Sequence, residues 1–155
     1  MSKAVEENYP AIDSWRCDTC GKQVSVQEGY VIWNSNGPDR DFRIIHKSRC
    51  DDKDLSSSMA LSDLVGADGI ATLLSFLTVG SLAYVPDGLS GDKEINLTDF
   101  ADLFRRLHVP NYERARRHFG DPRIRDFVGG WNERAMYMPE ELADIAAVGE
   151  AKRDD

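Results

Sequence analysis

Three cysteines are all that this 155-residue chain contains, an odd number that cannot close into a set of disulfides. It also lacks an apolar run of the roughly 20 residues needed to span a bilayer. The most apolar stretch, residues 70–85, is interrupted by Thr72, Ser75, Thr78, Gly80 and Ser81. Met1 to Pro10 is polar and acidic, without the basic and apolar regions of a secretory signal. A cytoplasmic location and no membrane partner are therefore expected. A glycine-rich phosphate loop, a nucleophile elbow and a His-Glu-X-X-His helix are all missing, so no familiar catalytic constellation is offered. Excess positive charge is missing as well. The formal net charge is −8, which opposes indiscriminate binding to nucleic acid.

The charge is unevenly spread. From Arg105 to Arg134 there are eight arginines against four acids, a local charge of +4 that leaves −12 on the remainder. Arg114, Arg116, Arg117, Arg123 and Arg125 are the candidate anion- or partner-binding residues of this segment. The competing expectation, which the net charge favours, is a solvated face that pairs internally: Arg105 and Arg106 with Asp102, and Arg116 or Arg117 with Glu113.

Local patterning divides the chain. Residues 1–14 read as a flexible arm and 149–155 as a frayed tail. Between Trp15 and Cys50 the pattern is that of strands. Tyr30 to Trp33 and Phe42 to Ile45 flank the turn-forming run Asn34-Ser35-Asn36-Gly37-Pro38-Asp39, so they are expected to pair as an antiparallel hairpin. Gln23 to Val26 forms a further extended stretch. The polar, serine-rich link 51–58 is the expected boundary.

Residues 58–148 read as a compact bundle of five or six short helices. Ser58 is expected to cap a helix through Leu64. Asp68 begins another whose Ile70, Leu73, Leu74 and Leu77 repeat at helical spacing, with Gly80 just past its end. Asn96 or Thr98 starts a helix burying Leu97, Phe100, Leu103, Phe104 and Leu107. Asn111 is expected to cap Tyr112 to Phe119, Asp121-Pro122 to lead into a helix from Ile124, and Pro139 to open the last helix. His108 and His118 each end an apolar helix, where a cation meets the last carbonyls. Asp87 to Phe100 echoes a calcium loop, but Lys93 stands where a glycine is required, so no calcium is expected.

All three cysteines fall at metal-ligand spacing. Cys17-Asp18-Thr19-Cys20 is followed by Gly21, which permits the tight left-handed turn that points both sulfurs at one spot. His46 and Cys50, three residues apart, offer a second pair, and the predicted hairpin between the pairs would bring them together. Four ligands make a closed, structural site for one Zn(2+) ion rather than a catalytic one, which keeps a position open. Trp15, Tyr30 and Trp33 surround this module and are expected to cover it.

The Cys-X-X-Cys-Gly knuckle, hairpin and second ligand pair resemble the treble-clef and zinc-ribbon group of zinc fingers over residues 15–52. The resemblance implies Cys17 and Cys20 as knuckle ligands and His46 and Cys50 as the second pair. It leaves the function open, because such modules serve nucleic-acid binding, protein binding and structural support. The expected fold class is α+β, a zinc-stabilised β-hairpin module followed by the helical bundle. The expected function is that of a non-enzymatic adaptor or regulator acting through protein–protein interaction. The alternative is a nucleic-acid-binding regulator that uses the zinc module and the Arg-rich face.

Overall fold

The computed structural model describes residues 9–78 and 94–151. The start of the expected arm, Gly80, the first part of the Asp87 to Phe100 stretch and the end of the tail lie outside the described residues. Those described form two small antiparallel sheets, five α-helices and two 3₁₀ turns, an α+β architecture. They fall into two compact units: Asp13–His108, which includes the 51–58 link, and the residues after His108 together with those before Asp13.

In the first unit β1 (Ser14–Arg16) pairs with β2 (Gln23–Ser25), Trp15 standing opposite Val24. The expected hairpin is present as β3 (Gly29–Asn34) and β4 (Arg40–His46), with Val31 opposite Ile44. A third strand, β5 (Ser57–Ala60), pairs with the other side of β3, giving the order β4-β3-β5. The expected helix from Ser58 is therefore replaced by a strand, and only Leu61–Asp63 turns helically, as 3₁₀. Ser-Ser-Met-Ala carries no alternation to announce a strand, and pairing with β3 supplies what the local pattern lacks.

Helix α1 (Gly66–Thr78) forms where its periodicity places it, but its core face differs from the expected one. Leu73 and Phe76 are buried, whereas Ile70, Leu74 and Leu77 are 39%, 47% and 42% exposed. The cause is Gly69, which lies so close to the Leu64 backbone that a Cβ there would collide with it. That approach turns the Gly69-Leu73-Phe76 side inward, away from the face that the Ile70-Leu73-Leu74-Leu77 repeat marks.

Asn96 caps α2 (Leu97–His108), its side-chain oxygen accepting the Asp99 N–H at 3.1 Å. Phe100, Leu103 and Leu107 are buried as expected, while Leu97 is 64% exposed at the first turn. Trp33, Phe42, Phe76 and Phe100 form an aromatic cluster with centroid separations of 5.5–6.3 Å. His108 departs from the expected cationic cap. Its Nε2–H donates to the Leu64 carbonyl at 2.9 Å, and burial holds its pKa below the ordinary imidazole value despite that bond.

The second unit packs Tyr112, Ala115, Ile124, Leu142, Ile145 and Ala146 into one core. It contains α3 (Tyr112–Arg116), α4 (Pro122–Val128) and α5 (Pro139–Glu150). Helix α3 stops three residues short of Phe119, because the chain tightens there: His118 N–H bonds to the Ala115 carbonyl, three residues back. Asn111 does not cap it through its side chain. Its backbone is left-handed, with φ of 65°, and its amide donates to the Pro139 carbonyl at 3.0 Å. Asp121 does cap α4, accepting the Arg123 N–H, and Pro139 opens α5 at its first turn. The His118 ring lies hard against Gly149 on α5.

Candidate metal centre

The knuckle follows directly from β1. Cys17 N–H bonds to the Lys22 carbonyl and Gly21 N–H to the Cys17 carbonyl, closing the turn at 2.8 and 3.0 Å. Gly21 has φ of +73°, the left-handed conformation that the tight knuckle turn needs and that a side chain would strain. His46 ends β4, and a turn with Ser48 at φ of 69° carries the chain back to Cys50. Cys50 lies in a bend, not on a helix, and the chain continues through the 51–56 link into β5.

The hairpin thus delivers its ligands beside the knuckle. One ligand atom from each of Cys17, Cys20, His46 and Cys50 lies within 4.8 Å of all the others, forming a Cys3His group positioned to bind a metal ion. His46 Nδ1 is 3.4 Å from Cys20 Sγ and 3.7 Å from Cys50 Sγ. Its Nε2–H donates to the Gln23 carbonyl at 2.9 Å, which leaves Nδ1, the nitrogen facing the sulfurs, as the one available to a metal. Cys17, His46 and Cys50 are buried and Cys20 is exposed.

The thiols differ because their surroundings differ. Burial acts to raise the Cys17 pKa, but main-chain N–H groups of Cys20, Thr19 and His46 outweigh it and bring the thiol well below its ordinary value. Burial pushes the Cys50 thiol up, and the neighbouring Cys17 and Cys20 sulfurs push it further. Three sulfurs this close share their negative charge badly by themselves, and a cation among them removes the conflict.

Two residues that the motif did not single out hold the knuckle in place. Asp18 donates its N–H to the Ile44 carbonyl at 2.8 Å, and its carboxylate accepts the Ile44 N–H at 2.7 Å, clamping the knuckle to β4. The same carboxylate oxygen accepts from Arg106 Nη1 at 2.6 Å, and Arg106 Nη2 donates to the Arg16 carbonyl at 3.1 Å. Arg106 is 1% exposed, so the expected solvated role on its own helix gives way to a buried one across the unit. Trp15 completes the tie by donating Nε1–H to the Arg106 carbonyl at 2.9 Å. Asp18 was readable as a knuckle residue, but nothing in the spacing marked Arg106. Of the covering aromatics, Trp15 and Trp33 are buried, and Lys47 sits 5.1 Å above the half-buried Tyr30 ring.

The five candidate arginines all belong to the second unit. Arg114 grips Glu150 through Nε and Nη2 at 3.2 and 2.7 Å. Arg123 grips Asp121, also at 2.7 Å, and donates to the Gly149 and Ala151 carbonyls. Both arginines have raised pKa values because of these carboxylates. Arg116 is half-buried, while Arg117 and Arg125 are exposed.

Comparison of the chain with protein-family models, with curated proteins and with solved structures finds no match. No helix among the described residues is long and apolar enough to cross a membrane.

Proposed function

We propose that Cys17, Cys20, His46 and Cys50 hold one structural zinc ion, and that the protein is a non-enzymatic adaptor or regulator acting through protein–protein contact. The closed four-donor group is the observation that carries this reading. Three thiolates and an imidazole are the donor set that favours zinc over hard cations. With bond lengths of about 2.3 Å to sulfur and about 2.0 Å to nitrogen, a tetrahedral zinc has S···N edges of about 3.5 Å. The two S···Nδ1 separations, 3.4 and 3.7 Å, bracket that value. Four protein ligands leave no open position for water or substrate, so the ion builds structure rather than doing chemistry. The knuckle and hairpin are zinc-finger-like, and the strand that follows Cys50 leans toward the ribbon form of the group rather than the treble clef.

The Arg-rich segment supports the adaptor reading over nucleic-acid binding, since Arg114 and Arg123 already have carboxylate partners. Two measurements test the proposal together. Metal analysis should return one zinc per chain, and electrophoretic shift with duplex and single-stranded DNA and RNA at low salt should show no complex. No bound zinc, or nucleic-acid affinity that falls steeply with salt, would overturn it.

A further inference from the structure

Strand β5 is an edge, and its outward side can be read from the pairing. Ile44 turns its N–H and C=O away from β3, to Asp18. By the alternation of an antiparallel ladder, Val31 opposite Ile44 turns its own groups toward β5, where its partner is Met59. Ser58, one residue earlier, then presents its N–H and C=O away from the sheet, and Ala60 does the same. Among the described residues no strand and no side chain bonds to those groups from outside. At the opposite edge Asp18 bonds Ile44 of β4; among the described residues nothing does the same for β5.

A cleft of about 250 Å³ lies alongside, with Ile32 and Leu55 as its apolar lining and Asp51, Lys53 and Ser58 among its polar residues. That is below the 300 Å³ or so of a small-molecule site and suits one side chain. The strand itself carries no charge. Asp51 and Asp54 precede it and Asp63 and Asp68 follow it, all exposed, and no Lys, Arg or His occurs from Asp54 through Thr78. Of the nearby bases, Arg43 is held by Asp52 at 3.1 Å, which leaves Lys53 and Lys47, the latter 5.1 Å over the ring of Tyr30, the partner of Ala60.

We propose that β5 is a docking edge that takes a basic, extended segment of a partner protein as a fourth strand, paired through Ser58 and Ala60, with one side chain in the cleft. A second copy is the less suitable occupant, because two chains of net charge −8 repel and the edge is only four residues long. The inference rests on the reading that the protein works through protein contact, and it names one edge for that contact.

The test uses the zinc-loaded full chain and a labelled octapeptide of alternating valine and lysine, with a valine–glutamate octapeptide beside it. Binding of the lysine peptide should shift the amide resonances of residues 51–60 and slow exchange of the Ser58 and Ala60 amides. The glutamate peptide should bind at least tenfold more weakly. Ser58→Pro removes an outward donor without touching the inward ladder, and should weaken binding at least tenfold while zinc content stays at one. Asp51→Lys should weaken it several-fold at low salt, which keeps the test open if the proline variant does not fold. Resonance shifts confined to other residues, equal binding of both peptides, or concentration-dependent dimers that Ser58→Pro abolishes would overturn the docking edge. A partner bound at another face would still leave the adaptor reading standing.

Discussion

Arg106 and Asp18, 88 residues apart in the chain, form a partly buried ion pair of 2.6 Å in which one carboxylate also accepts the Ile44 N–H. This single oxygen joins the metal knuckle, the hairpin and α2. Removing the cation leaves the carboxylate clamped in place without its charge partner. Arg106→Met is therefore expected to cost about 2 kcal/mol, between a surface pair and a fully buried one, because Arg106 is buried while Asp18 keeps solvent contact. Denaturant unfolding of the zinc-loaded protein measures this, and adding Asp18→Asn to the same chain should recover part of the loss. Additive losses in the double variant would show that the two side chains are not coupled.

Chelation should release the ion and loosen the first unit with it. Trp15 and Trp33, both buried there, are the natural reporters: their near-ultraviolet dichroism should collapse on chelation and return with added zinc. Cys50→Ser and His46→Gln should each reproduce the chelated state. Retention of the tryptophan signal after complete metal removal would mean that the hydrogen-bonded scaffold stands without the ion.

Gly149→Ala should destabilise the second unit by roughly 1–3 kcal/mol, the range for an overpacked contact. The new methyl would be driven into the His118 ring. Combining it with His118→Ala should restore most of the loss, and thermal unfolding of the four chains of that cycle decides the matter.

His108 supplies a pH dependence with a definite sign. Its folded pKa lies below the ordinary 6.5, so the unfolded chain takes up its proton first as pH falls. The stability it contributes is present above pH 6.5 and is lost as pH drops from there toward the folded value. Titration of the His108 ring resonance should give a midpoint under 6.5. The wild type should also lose stability more steeply than His108→Asn just below that pH. A midpoint above 6.5 would mean that the ring is charged in the fold.

Arg114→Ala should cost only about 0.5 kcal/mol, since both partners of the Glu150 pair are about half exposed and solvent screens them. Glu150 has a lowered pKa because of that arginine, so this small term is present above the ordinary carboxylate value and vanishes as pH falls through the folded one. Unfolding at low and high salt should show the difference shrinking with salt.

Much of the first unit was legible because its determinants are local. The knuckle is fixed by two cysteines and a glycine, and the hairpin by alternation around a turn rich in Asn, Gly and Pro. What escaped was set at long range. The 57–60 stretch becomes a strand only because β3 has an edge to offer. The inward face of α1 is chosen by the approach of Gly69 to Leu64, which no periodicity records. Arg106 looks like any helical surface arginine until the knuckle supplies Asp18. The left-handed turn at Asn111 likewise goes with its bond to the Pro139 carbonyl, distant in sequence.

The bond from His46 Nε2 to the Gln23 carbonyl has a consequence for the order of assembly. Gln23 reaches that ring only when β2 lies against β1 in the correct register, with Gln23 opposite Arg16. A slip of one residue would place a different main-chain group at the imidazole and let its tautomers mix. Ion capture at this centre would therefore depend on a strand pairing that contains no metal ligand at all.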